Sequence, residues 1–101
     1  MLVKLTEICN NGAVTARTQF ILREVFINPE HVIMIREDSR MRELNESGEM
    51  SVRGTGELSK NHRFSKLTIN RGHSGTEIVV VGDPHVVESM LKSNSKQLLR
   101  G

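Results

Sequence analysis

The sequence predicts an α+β fold: a small antiparallel β-sheet or open barrel of about five strands, with a C-terminal helix and a long charged insertion. Three observations predict it. Short runs rich in β-branched residues recur along the chain, each too short for a helix. An Asn28-Pro29 corner joins two of these runs. An Asp83-Pro84 pair opens the stretch with the clearest helical spacing, the cap residue being followed by a proline whose missing N–H is not needed there.

Taken in order, residues 1–8 alternate, with Met1, Val3 and Leu5 on one side and Lys4 and Thr6 on the other, as a half-buried strand does. Asn10-Asn11-Gly12 is a turn, since Asn and Gly tolerate positive φ. Residues 20–27 are apolar on both faces apart from Arg23 and Glu24, which predicts a central strand. After the Asn28-Pro29 corner, residues 32–35 form a second such run, so the corner is expected to join two buried strands. Residues 64–70 alternate, and 66–70 and 76–81 are expected to pair as a hairpin across Arg71-Gly72-His73-Ser74-Gly75. The closing helix starts at Pro84 and runs to about Lys92. Val87, Met90, Leu91 and Leu98 would carry its stripe further, and 95–101 is the alternative flexible tail.

Residues 38–63 differ from the rest. Arg40, Arg42, Arg53, Lys60 and Arg63 alternate with Glu43, Glu46, Glu49 and Glu57, and three glycines punctuate them. Residues 39–46 are spaced for one short helix with Met41 and Leu44 on a common face; the remainder shows no period. A stretch of that length without structure is expected to be a solvated insertion or a partner-binding loop.

The 101 residues support one domain, 1–101, large enough for a core without metal or disulfide support. All three aromatics are Phe, so the core is aliphatic, and base stacking on aromatic rings has little to build on. The single Cys9 excludes an internal disulfide and fits a reducing compartment. No apolar run approaches a membrane span and the N-terminus opens as a strand, which predicts a cytoplasmic protein with no membrane partner. The net charge is only +2, with its excess after Phe64 on Lys66, Arg71, Lys92, Lys96 and Arg100.

The four histidines are not spaced as metal ligands, and no nucleophile elbow, phosphate loop or dinucleotide fingerprint occurs. Neither enzyme activity nor a cofactor is therefore expected. The candidate partner- or anion-binding residues are Arg71 and His73 on the glycine-flanked turn, joined by Arg40, Arg42, Arg53 and Arg63 if the insertion folds over it. The plain reading of Arg71–Gly75 is a hairpin turn, and that of the insertion arginines a face neutralised by its own glutamates.

Lys4-Leu5-Thr6, then Ile27-Asn28-Pro29-Glu30-His31-Val32-Ile33-Met34-Ile35, then Lys66-Leu67-Thr68-Ile69, then Val79-Val80-Val81 before a helix, resembles the framework of the small flagellar FlbD-like proteins. The Asn-Pro-x-His-Val corner is also similar to that of short proteins of large tailed phages. Either resemblance implies a non-enzymatic accessory or regulatory protein, and neither covers residues 38–63. The expected function is thus a small regulatory binding protein that works through protein contacts, with Met41, Leu44, Met50 and Leu58 as adaptable contact residues, and with self-association a further expectation. A nucleic-acid binder using the weak basic face and an oligomeric binder of a phosphorylated small molecule are the alternatives.

Overall fold

A computed structural model describes residues 1–10, 19–48, 51–54, 58–70, 72 and 74–100. Six strands and two helices follow one another as β1 (Val3–Asn10), β2 (Gln19–Ile27), a 3-10 turn (Pro29–His31), β3 (Val32–Glu37), α1 (Ser39–Ser47), β4 (Ser51–Gly54), β5 (Phe64–Asn70), β6 (Gly75–Val81) and α2 (Pro84–Arg100). The strands form one open sheet in the order β3-β5-β6-β1-β2-β4. All neighbours are antiparallel except β2 and β4, whose parallel pairing matches Gln19 with Ser51 and Leu22 with Gly54.

This is the α+β sheet with a C-terminal helix that the sequence predicts, including the β5–β6 hairpin, in which Leu67 faces Ile78. Three expectations need correction. The sheet is mixed and has six strands, because β4 lies inside the stretch read as an insertion. Four residues are too few to show a period, and their partner in β2 is some thirty positions away. The same stretch holds α1 where residues 39–46 are spaced for a short helix, so with β4 much of 38–63 is regular structure. Finally, β3 is not a buried strand: it stands at the edge of the sheet, and Ile33 and Met34 are exposed.

The alternation of side chains divides the core into two layers. Val3, Leu5 and Ile27 meet Leu67, Val80, Val87 and Leu91 in one buried cluster, with Val32 and Ile35 of β3 packed against it. β2 and β3 lie far apart in the strand order, yet both contribute to this cluster, with Leu67 and Val80 of the strands between them. α2 covers this face by inserting Val87 and Leu91. On the other face, Ile8, Phe20, Leu22 and Phe64 form a second cluster beneath Met41 and Leu44 of α1, with Val52 of β4 and Leu58 at its rim. β1 serves both layers, burying Val3 and Leu5 on one face and Ile8 on the other, while Met1 stays exposed.

Local chemistry sets the element boundaries. Asn28 Oδ1 accepts from the Glu30 N–H at 3.0 Å and Pro29 supplies the first turn position, as its sequence requires. Asp38 Oδ1 accepts from the Met41 N–H at 3.0 Å and caps α1, which ends at Gly48 in the left-handed region, φ 75°. Asp83 Oδ1 accepts from the Val86 N–H at 3.0 Å and opens α2. α2 extends through Arg100, across most of the stretch that the sequence left as a helix or a flexible tail. No helix among the described residues is long and apolar enough to cross a membrane.

Candidate functional site

β3 and its surroundings hold the features that a structural role leaves unexplained. The strand follows directly from the Asn28-Pro29 turn, pairs with β5 alone, and shifts register between Val32 and Met34. The shift brings two successive apolar side chains outward, with Ile33 65% and Met34 43% exposed. Beside them runs a groove of about 310 Å³ between Pro29, Ile33, Met34 and Ile35 on one wall and Glu88 and Leu91 of α2 on the other. A second, more apolar cleft of about 280 Å³ opens where the end of β2 meets the β5–β6 tip, lined by Val25, Ile27, Ile69 and Ile78 with His31 at its rim.

The C-terminal end of β3 is ionic. Glu37 Oε2 accepts from Arg63 Nε at 2.6 Å and lies 3.5 Å from Arg42 Nη1, while Arg42 Nε reaches Glu46 Oε2 at 3.4 Å. This node ties β3, α1 and the segment before β5 together. The Asp38 N–H donates to Phe64 O at 2.9 Å in the same place. Arg63 also lies close enough to Asp83 to help hold its carboxyl below the usual carboxylate range, although the larger cause is the hydrogen bond from the Val86 N–H.

On the outer face of the sheet a cleft of about 350 Å³ is lined by Arg36, Glu37, Asp38, Ser39, Arg40, Lys66 and Glu77. Arg36 of β3 and Lys66 of β5 are directly opposite one another in the ladder. Glu77 Oε2 is 3.7 Å from Arg36 Nη2.

The sequence-predicted residues are therefore divided. Arg42 and Arg63 converge on Glu37, Arg40 joins the outer cleft, and Arg53 stands exposed on β4. Arg71 and His73 lie outside the described residues. Arg36 was not singled out from the sequence, and Lys66 was read only as one member of a diffuse basic face. Their opposition is a property of strand register, which the basic residues alone do not reveal. Elsewhere, Arg23 Nε donates to the buried Glu7 at 3.0 Å, a bond that raises the guanidinium pKa further. The His62 ring accepts from the Ser59 N–H at 2.8 Å and closes a turn. Among the described residues, no three His, Cys, Asp or Glu side chains are grouped to hold a metal ion.

The chain matches no protein-family model, and neither a curated protein nor a solved structure is significantly similar to it.

Proposed function

We propose that the protein is a non-enzymatic regulatory or accessory module that binds another polypeptide along the free edge of β3. The observation that carries this reading is the pair Ile33 and Met34, large, apolar and exposed on a strand with one open side. Edge strands that face water are ordinarily shortened, charged or covered, because unpaired N–H and C=O groups recruit further strands. An extended partner added here gains backbone hydrogen bonds, and its alternate side chains reach the groove beside Leu91.

The binding surface thereby moves away from the charged insertion. Met41, Leu44 and Leu58, whose adaptability supported a loop-centred surface, pack against the second core cluster instead; Met50 lies outside the described residues. The test is Ile33→Lys. The side chain is exposed, so the variant should melt within about 0.5 kcal/mol of the parent. Partners cross-linked to the parent and identified by mass spectrometry should be lost from the variant. Retention of every partner by a folded Ile33→Lys protein would refute the assignment of this edge.

A further inference from the structure

We propose that the outer cleft between β3, α1, β5 and β6 is a binding site for the phosphoryl group of a small phosphomonoester. The site adjoins the partner edge, sharing β3 through Arg36, but its ligand binds without a partner.

Three cations line the cleft: Arg36, Arg40 and Lys66. Arg36 and Lys66 are directly opposed in the ladder, an arrangement that costs stability when no counter-charge intervenes. Glu77 offsets Arg36 in part, and among the described residues no carboxylate is within ion-pair distance of Lys66. Glu37 is bonded to Arg63 and Arg42, neither of which lines the cleft. Asp38 accepts from the Met41 N–H of its own helix. Glu77 approaches Arg36 only to 3.7 Å, which leaves the guanidinium donors open. Arg40 and Lys66 take part in no ion pair or hydrogen bond among the described residues, and the Ser39 hydroxyl is likewise uncommitted there.

The cleft thus presents a guanidinium fork, a second guanidinium, an ammonium and a hydroxyl around one space. With Glu37 paired to Arg42 and Arg63 and Glu77 facing Arg36, the remaining cations Arg40 and Lys66 have only Asp38 among the lining carboxylates to offset them, which leaves an excess of positive charge. A phosphomonoester carries close to two negative charges at neutral pH and offers three acceptor oxygens, which matches this donor set. A phosphodiester carries one charge and hides two of its oxygens. The volume of about 350 Å³ leaves room for a substituent beyond the phosphoryl group.

The experiment titrates inorganic phosphate into the full chain, with sodium chloride at matched ionic strength as control, following amide resonances and the melting temperature. Saturable shifts at Ser39 and Arg40, specific to phosphate, are expected. Lys66→Met and Arg40→Gln should each weaken binding about tenfold, the factor one charge-assisted bond carries. Lys4→Gln should not, since Lys4 is already 3.0 Å from Glu24 elsewhere on the sheet. Without phosphate, Lys66→Met and Arg40→Gln should melt at or above the parent temperature, because each relieves repulsion; cations with a purely structural role would give lower values. Glycerol 3-phosphate should bind at least as well as phosphate. Equal shifts with chloride, parent-like binding by both variants, or a dinucleotide diester binding as tightly as phosphate would overturn the proposal. Ile33→Lys should keep phosphate binding, so this site and the β3 edge fail or stand separately.

Discussion

Two adjacent valines on α2 give a direct measure of how that helix is docked. Val87 is fully buried and Val86 is 50% exposed, although the two are neighbours in sequence and chemically identical. Truncating Val87 to Ala removes two carbon groups from the core, about 1.6 kcal/mol at roughly 0.8 kcal/mol each. The cavity left against Leu67 and Val80 adds roughly 0.5–1 kcal/mol. Alanine's better helix propensity returns about 0.5 kcal/mol. The net cost is about 1.5–2 kcal/mol. For Val86, half the transfer term is lost, about 0.8 kcal/mol, and the same propensity gain reduces the net cost to about 0.3 kcal/mol. In urea, with a slope of roughly 1–1.5 kcal/mol per molar for a chain of this size, Val87→Ala should shift the midpoint by about 1 M further than Val86→Ala. Indistinguishable midpoints would refute the helical phase that puts Val87 against the sheet. A larger loss from Val86→Ala would invert it.

Other perturbations test the joint between β6 and α2. Gly82 has φ 123°, donates its N–H to Arg63 O at 2.7 Å and accepts from Ser65 Oγ at 2.7 Å, and a Cβ there would sit 3.3 Å from Val87 Cγ2. Gly82→Ala should therefore destabilise by about 1–3 kcal/mol in the same urea assay, and parent-like stability would remove the strain argument. Asp83 has a depressed pKa in the folded state because it accepts from the Val86 N–H. A depressed folded value means that its contribution is complete above the unfolded pKa of about 3.9 and is lost as pH falls through the folded value. Asp83→Asn keeps a capping oxygen that does not titrate, so its melting temperature should match the parent near neutrality and fall less steeply in acid. Parallel acid profiles would show that Asp83 does not contribute in this way.

Local chemistry was legible wherever a few consecutive residues carry the whole signal. Asn28-Pro29 and Asp83-Pro84 announce their turns because cap and proline act within one turn of backbone. The β5–β6 hairpin was legible because only residues 71–74 separate two short strand-forming runs. Residues 39–46 could be read as a short helix from Met41 and Leu44, and the structure adds the Asp38 cap. β4 was not legible, since Ser51–Gly54 becomes a strand only through its pairing with β2. Nor was the exposure of β3: Val32 to Ile35 reads as a core strand, and nothing in those residues says that one neighbour is missing.

The candidate sites divide in the same way. The number and sign of the basic residues are written in the chain, and so is the lack of sequence motifs for common catalytic chemistry. Which cations face one another is not. Arg36 and Lys66 are thirty positions apart, and a register shift of one residue would place them on opposite faces of the sheet. Arg42 and Arg40, two positions apart on α1, part company because one reaches Glu37 and the other turns to the outer cleft. The sequence by itself determined most element types and the Asn28 and Asp83 caps, because these depend on neighbours along the chain; the core it predicts as aliphatic also buries Phe20 and Phe64. Tertiary structure alone decided the strand order, the edge and the cleft, because each arises from pairing between residues that only folding brings together.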